Sequence, residues 1–187
     1  MNVVIFGPPG AGKGTQAQNI VKKFNLHQVS TGDLLRTEIN NKSEIGKEIE
    51  EIISKGDFAT DNIVNKLIKN IVFDPQKKDK LIFDGYPRSL SQAENLDFLL
   101  GSSKQKIDFI FFLNVNKDTI IKRIERRKIL EKRSDDNLNT ILKRYDTYME
   151  TTRPVLDFYS SRSYFYEIDG SEKIEVISSK IEQIVNV

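Results

Sequence analysis

Hydrophobic residues along the chain form two patterns, short apolar runs and longer segments in which apolar residues recur at helical spacing. Their alternation is typical of strand-helix-strand units around a parallel sheet. Five runs are predicted strands: residues 2–6, 27–30, 81–84, 109–113 and 164–168. The third and fourth runs are apolar without alternation, as expected for strands buried on both faces, so we predict that both lie near the centre of the sheet.

The segments between the strands carry apolar stripes that predict helices. One helix follows the first strand directly, and residues 45–53, 63–72 and 176–185 carry further stripes. We expect the last of these to pack on the sheet, although such a stripe also occurs in partner-binding helices. Residues 30–60 are helical in pattern but interrupt the order of strands, so they are a candidate inserted lobe whose first helix starts near Asp33.

Composition narrows the possible classes of protein. A chain of 187 residues is long enough for one compact domain with a core. Its 29 Lys and Arg against 27 Asp and Glu leave a net charge of +2, which disfavours a DNA-coating protein. No cysteine and a single histidine, His27, exclude disulfides and zinc-thiolate sites. No signal-peptide core or long apolar stretch is evident, so we expect a soluble protein that is not exported.

The strongest chemical signal is the glycine-rich segment at residues 7–15, between the first strand and the helix after it. Its glycines allow successive N–H groups and the helix amino end to face an anion, while Lys13 can reach the outer phosphates. This combination predicts a nucleoside triphosphate site and a phosphotransferase. Gly14 stands where such loops usually have a Ser or Thr that binds Mg²⁺, and Thr15 comes one residue later. We therefore expect the nucleotide and water molecules to supply most of the ligands of the Mg²⁺ ion.

A second segment, residues 81–88, ends a predicted buried strand with an acid. Asp84 could orient Mg²⁺ or its waters at the carboxyl edge of the sheet, where ligands bind. Gly85 would allow a ligand to approach the backbone, and Arg88 offers a planar fork for a phosphate. The same residues are also typical of a simple strand-ending turn, but the phosphate loop in the same sheet favours a functional role.

Arginines are scattered along the chain and could converge in space, although a surface role is the default for any one of them. The transition state of phosphoryl transfer spreads negative charge over oxygens that arginines and a metal can neutralise. The candidates are Arg36, Arg88, Arg123, Arg127, Arg133 and Arg144.

Together these segments resemble the nucleoside monophosphate kinases, most closely the adenylate kinases. Residues 7–16 resemble the family's phosphate loop, residues 30–36 its acceptor-binding strip, and residues 84–88 its signature, followed by Gln92 at the familiar distance. The spacing of arginine and aspartate near the carboxyl half is also similar, at Arg123, Arg127, Arg133, Asp135, Asp136 and Arg144. Only residues 128–132 separate Arg127 from Arg133, which resembles the short-lid form.

The resemblance implies a three-layer α/β/α P-loop fold with a five-stranded parallel sheet. The implied core comprises residues 1–29, 60–126 and 138–187, with an acceptor-binding lobe at 30–59 and a short lid at 127–137. The implied reaction is reversible phosphoryl transfer from MgATP to AMP, giving two ADP and maintaining adenine nucleotide balance. The implied enzyme is a cytoplasmic monomer with no nucleic-acid or membrane partner.

The resemblance also implies residue roles. Catalytic roles fall to Lys13, Arg88, Arg123, Arg127, Arg133 and Arg144. ATP would contact Gly10, Ala11, Gly12, Lys13, Gly14, Thr15, Arg123, Arg127 and Glu172. AMP would contact Thr31, Arg36, Asp57, Phe58, Ala59, Gly85, Tyr86, Pro87, Arg88, Gln92, Arg133 and Arg144. Asp84 would anchor the water shell of Mg²⁺.

The choice of acceptor rests on two residues, because the hydroxyl of Thr31 and the amide of Gln92 can hydrogen-bond a purine edge. AMP is thereby favoured over pyrimidine monophosphates, while GMP is less securely excluded.

Two other classes of protein share parts of these patterns. A GTP-dependent switch would use the same phosphate loop, but residues 116–118 place the Asp one residue too early for the usual guanine-binding sequence. A nucleic-acid-binding surface could use the lysines and arginines of residues 122–132, although Glu125 and Glu131 interrupt them. His27 is expected to be structural rather than catalytic, because this chemistry needs no general base beyond the acceptor phosphate.

Overall fold

The computed structural model describes residues 1–54, 59–131 and 138–186, without the side chains of residues 53–54, 126–131, 138–139 and 141. Five strands form one parallel sheet in the order β2-β3-β1-β4-β5. They are β1 (Val3–Phe6), β2 (His27–Ser30), β3 (Leu81–Asp84), β4 (Phe109–Asn114) and β5 (Phe165–Asp169). The prediction of a five-stranded parallel sheet is confirmed, and the two most apolar strands, β3 and β4, flank the central β1.

Four strand boundaries differ by one residue from the prediction. β1 starts at Val3, since the backbone N–H of Asn2 donates to the side chain of Asp108 at 2.7 Å rather than to a neighbouring strand. The side chain of Asn2 joins neighbouring segments by donating to Lys106 O at 3.0 Å and accepting from Leu81 N at 3.1 Å. β4 ends one residue later than predicted, and β5 both starts and ends one residue later, since Asn114 pairs with Asp169.

Alternating side chains on the strands build two hydrophobic layers. Val3 and Ile5 belong to a cluster with α1 (Lys13–Phe24), α6 (Lys117–Glu131) and α9 (Ile174–Val185). Val4 and Phe6 belong to a second cluster on the opposite face. Its helices are α4 (Asp61–Val72), α5 (Leu90–Ser102) and α8 (Arg153–Ser160). Helices on both faces of the sheet confirm the predicted three-layer α/β/α fold.

Two helices, α2 (Thr31–Asn40) and α3 (Glu44–Ser54), stand between β2 and α4. The hydroxyl of Ser30 caps α2 by accepting from Asp33 N at 3.3 Å, so the helix starts where the sequence predicted. Leu35 and Ile49 connect the pair to the second hydrophobic cluster. These helices fall within the predicted lobe at 30–59.

The remaining helical segments are α7 (Leu138–Thr147), a turn of π-helix at Tyr148–Thr152 that leads into α8, and a 3₁₀ turn at Pro75–Lys77. Six residues, 132–137, separate α6 from α7. His27 is exposed at the start of the edge strand β2. Within the described ranges, no helix is both long enough and apolar enough to span a membrane.

Candidate active site

A cleft of about 660 Å³ opens at the carboxyl edge of the sheet, beside the central strand β1. The loop after β1, the end of β3, the start of α2, and residues of α6 and α7 line it. The order of strands reverses on either side of β1, which is where sheets of this kind bind their ligands.

Glycines shape the loop between β1 and α1. Gly10 and Gly12 have φ values of 83° and 94°, a left-handed conformation that favours glycine. A Cβ at Gly10 would lie 2.9 Å from Ile124 Cδ1, so only glycine lets α6 pack closely on the loop. The amide of Ala11 donates to Pro8 O at 3.1 Å, which closes the curve just before α1 begins at Lys13.

Two positively charged side chains, one from α1 and one from α6, hydrogen-bond to the carbonyl groups of this loop. Lys13 Nζ donates to Gly7 O at 2.8 Å and to Pro8 O at 3.1 Å, so the lysine lies back over its own loop. Arg123 of α6 donates from Nη1 to Ala11 O at 3.2 Å. Positive charge therefore lies beside the backbone N–H groups at the amino end of α1, an arrangement suited to phosphate.

The second predicted segment forms the opposite wall of the cleft. Asp84 ends β3 and accepts from Gln28 Nε2 at 3.2 Å. Gly85 follows with φ of 78°, and its carbonyl accepts from Arg88 Nε at 2.7 Å. A Cβ at Gly85 would lie 2.9 Å from Arg88 Nη2 and 3.0 Å from Thr31 Oγ1, so the glycine allows both side chains to approach the backbone.

Arg88 lies in a strongly cationic environment. Burial is the main cause that lowers its pKa to about 10, and the neighbouring charges of Arg144 and Arg36 lower it further, whereas Asp84 acts in the opposite direction. The arginine stays charged at neutral pH. Three arginines from α2, the β3–α5 loop and α7 thus influence one another, and a bound anion would relieve their mutual repulsion.

Two polar side chains that could hydrogen-bond a nucleobase, Thr31 and Gln92, lie beside Gly85 and Arg88 in the same wall of the cleft. Thr31 Oγ1 donates to Gly85 O at 2.7 Å, so its hydroxyl offers only lone pairs to a ligand. The carbonyl of the Gln92 side chain accepts from Arg88 N at 2.7 Å. Both residues are almost fully buried and both line the cleft.

Most of the predicted site residues that the structure describes line this one cleft. They are Gly10, Ala11, Gly12, Lys13, Gly14, Thr15, Thr31, Arg36, Ala59, Asp84, Gly85, Pro87, Arg88, Gln92, Arg123, Arg144 and Glu172. Arg36 is paired with Asp33 at 2.5 Å, and Glu172 with Lys180 at 2.6 Å.

Tyr86 was predicted to contact AMP but does not line the cleft. Its ring is buried in the core, and its hydroxyl donates to Asn65 Oδ1 at 2.7 Å while accepting from Asn95 Nδ2 at 2.9 Å. Burial raises the pKa of Tyr86 to about 12. Asp57, Phe58, Arg133 and the side chain of Arg127 lie outside the described residues, as do Asp135 and Asp136.

Comparison with known proteins shows the family to which the chain belongs. A model of the family described as adenylate kinase matches residues 5–164. The adenylate kinase of Pelagibacter ubique is 46% identical over 213 aligned positions, covering 100% of both chains. The chain belongs to the adenylate kinase family. Adenylate kinases from Caulobacter sp. strain K31 and Nocardioides sp. are 37% and 33% identical, each aligned over 187 positions and all of this chain, with 99% and 98% of the relative covered.

Family membership settles the reaction. The enzyme is an ATP:AMP phosphotransferase that catalyses reversible transfer of a phosphoryl group from ATP to AMP, giving two ADP. The resemblance drawn from the three sequence segments is therefore confirmed, together with the fold and the activity that it implied.

The oxygen donors of the cleft fit a magnesium ion that arrives with the nucleotide. Asp84 supplies one carboxylate, and Gly14 stands close to it, since a Cβ there would lie 3.6 Å from Asp84 Oδ2. Among the described residues, no three acidic or histidine side chains are grouped as a metal site. This donor set suits Mg²⁺, which keeps several waters and takes its other ligands from phosphates.

Several cleft or supporting residues were missed by the sequence analysis. Gln28 holds Asp84, and the hydroxyl of Thr152 donates to Arg88 O at 3.0 Å. Gln16 joins α1 to α9 by donating to Ile174 O at 3.0 Å and accepting from Ser178 Oγ at 2.8 Å. These contacts join segments far apart in the chain, so no local pattern indicated them.

Proposed function

We propose that this cleft is the active site and that its two cationic regions each hold one of the two substrates. The phosphate loop and Lys13 bind the outer phosphates of ATP, while Arg36 and Arg88 bind the phosphate of AMP. The observation that carries the proposal is that buried Arg88 lines the same cleft as Arg144 and Arg36. Burial first, and then the charges of these two neighbours, disfavour its positive charge, so a bound anion would be stabilised there.

Arg123 and Arg144 act between these regions. Arg123 donates to the phosphate loop at Ala11 O, Arg144 acts electrostatically on Arg88, and both line the cleft. Their charges stabilise the oxygens of the transferring group, which needs little covalent work from the protein. The same role is proposed for Arg127 and Arg133 from the resemblance alone.

Asp84 would hold the water shell of the Mg²⁺ that accompanies ATP, and this ion would supply charge neutralisation at the phosphates. Gln28 donates to the Asp84 carboxylate at 3.2 Å and so fixes its orientation. The loop residues Gly10, Ala11, Gly12, Gly14 and Thr15 surround the ATP phosphates, and Glu172 lies near the adenine of ATP.

Thr31 and Gln92 recognise the base of the acceptor, with Ala59, Gly85 and Pro87 lining its pocket. Because the hydroxyl hydrogen of Thr31 is held by Gly85 O, this oxygen accepts rather than donates, as the amino group of adenine requires. The lobe at 30–59 and the lid at 127–137 close over the substrates and exclude water, which would otherwise accept the phosphoryl group. The proposed enzyme acts as a cytoplasmic monomer.

The test is a coupled assay of ADP formation from MgATP with AMP, GMP, UMP, CMP or no acceptor, for wild type and Arg88→Ala. We expect AMP-dependent activity that falls by about 10²–10³-fold in Arg88→Ala. Arg162→Ala is the matched control, because Arg162 is exposed and its guanidinium lies over the ring of Phe158 at 5.9 Å. Equal losses in both variants, or full activity in Arg88→Ala, would contradict the assigned phosphate clamp.

A further inference from the structure

A hydrogen-bond network behind the cleft involves an acid that no part of the mechanism uses. Asp61, the first residue of α4, is half-buried and does not line the cleft. Its Oδ1 accepts from Gln92 Nε2 at 2.6 Å, and its Oδ2 accepts from Ser89 Oγ at 2.9 Å and from the hydroxyl of Ser91. The only one of these partners that lines the cleft is Gln92.

The two ends of the Gln92 amide meet partners of opposite and fixed polarity. Its Oε1 accepts from the backbone N–H of Arg88 at 2.7 Å, and its Nε2 donates to Asp61. A backbone N–H can only donate and a carboxylate can only accept. Rotating the amide by 180° would place two donors together at Arg88 and two acceptors together at Asp61. The orientation of the amide is therefore fixed by its partners.

The amide keeps one N–H and one lone pair for a ligand, because Asp61 takes one of its two hydrogens and Arg88 one of its two acceptor positions. The Watson–Crick edge of adenine offers an amino donor beside a ring-nitrogen acceptor. A 6-oxopurine such as hypoxanthine offers the reverse, a carbonyl acceptor beside a ring N–H donor. For a base held in one position, one orientation of Gln92 matches adenine and the flipped orientation matches the 6-oxopurine.

We propose that Asp61 is a positioning residue that determines purine specificity, holding the Gln92 amide in the orientation that pairs with adenine and rejects 6-oxopurine monophosphates. The proposal rests on the role in base recognition proposed above for Gln92. Asp61 acts without touching the substrate. It also joins the start of α4, just after the acceptor-binding lobe, to the start of α5.

The decisive probe is inosine 5′-monophosphate, because its base differs from adenine only at the edge in question and lacks the 2-amino group of guanine. The experiment measures kcat/KM for AMP and for IMP with MgATP, separating nucleotide products by chromatography, in wild type and Asp61→Asn. An Asn side chain can present either an acceptor or a donor to Gln92, so it removes the fixed polarity at nearly constant shape.

We expect the ratio of IMP to AMP kcat/KM to rise about tenfold in Asp61→Asn, the effect of roughly one to two net hydrogen bonds, with kcat for AMP within about threefold of wild type. Asp118→Asn is the matched control, since Asp118 is an exposed acid in the first turn of α6 and its ratio should not change. Asp61→Ser, whose hydroxyl both donates and accepts, supplies the same comparison should the Asn variant fail to fold.

Equal losses with AMP and IMP in Asp61→Asn, or an unchanged ratio, would overturn the proposal and leave Asp61 a purely structural residue. Gln92→Ala separates this failure from failure of base recognition itself. A rise of about tenfold in KM for AMP in Gln92→Ala supports the proposed role of Gln92 whatever Asp61 does. If KM for AMP is unchanged in Gln92→Ala, the base is recognised elsewhere and the role of Gln92 is wrong.

Discussion

Two glycines inside helices, Gly46 in α3 and Gly101 in α5, should respond in opposite directions to the same substitution by alanine. A Cβ at Gly46 would lie 2.1 Å from the backbone oxygen of Glu38 and 2.5 Å from its carbonyl carbon, where ordinary contact needs at least 3.4 Å. A Cβ at Gly101 would have no described atom within 4 Å. Gly46 therefore permits the close contact of α2 with α3, and Gly101 has no such role.

The magnitudes follow from helix propensity and packing. Alanine is favoured over glycine in a helix by about 1 kcal/mol, so Gly101→Ala should stabilise the protein by roughly 0.5–1 kcal/mol. At Gly46 the methyl group must move the Glu38 carbonyl by about 1 Å, an overpacking that typically costs about 1–3 kcal/mol. The same carbonyl accepts from Ser43 N at 3.2 Å and from Ser43 Oγ at 3.3 Å, and both bonds would weaken. After the gain in propensity, the expected net destabilisation is about 1–2 kcal/mol.

Urea unfolding and thermal melting of both variants measure these changes, and about 1 kcal/mol corresponds to a shift of roughly 2–4 °C in Tm at this chain length. The KM for AMP should rise in Gly46→Ala, because α2 carries Thr31 and Arg36. It should stay constant in Gly101→Ala. Shifts of the same sign and size in the two variants would refute the close contact between α2 and α3 as the reason for a glycine at position 46.

Three further substitutions test other parts of the structure. Gly85→Ala should lower the free energy of unfolding, measured by urea titration, by about 1–2 kcal/mol, because alanine is strained at φ of 78°. It should also raise KM for AMP by displacing Arg88, and wild-type values would contradict both expectations. Gln16→Ala should lower the free energy of unfolding by about 2 kcal/mol, because it removes two hydrogen bonds to α9. The control Gln18→Ala, at an exposed position, should change it little. Equal effects in the two variants would refute the stabilising role of the bonds to α9. Tyr148→Phe should raise the free energy of unfolding by about 1 kcal/mol and raise Tm with it, since the buried hydroxyl has no partner among the described residues. A lower Tm would show that the hydroxyl has a partner.

The sheet could be predicted from the sequence because strands buried on both faces leave apolar runs without alternation. Its strand ends could not be predicted to the residue, since they depend on partners far along the chain. Asn2 shows this, because its side chain reaches residues 81 and 106, and the length of β4 is set by its pairing with β5.

Within the site, the local segments were predictable and the distant contacts were not. Glycines and Lys13 form the phosphate loop within nine consecutive residues, so the pattern itself indicates the function. The sequence analysis assigns residues 85–88 together to AMP, yet the ring of Tyr86 lies in the core while its neighbours line the cleft. The contact between Asp61 and Gln92 spans 31 residues, and no sequence signal marks it.

One backbone atom, the carbonyl oxygen of Gly85, connects the two recognition functions proposed for the acceptor. Thr31 Oγ1 and Arg88 Nε each donate to it at 2.7 Å, the first from α2 and the second from the loop before α5. The hydroxyl proposed to contact the base and the guanidinium proposed to bind the phosphate are therefore positioned against the same atom. A change that displaces this carbonyl, such as Gly85→Ala, should weaken base selectivity and phosphate binding together, whereas Arg88→Ala removes the phosphate contact and leaves the Thr31 bond in place.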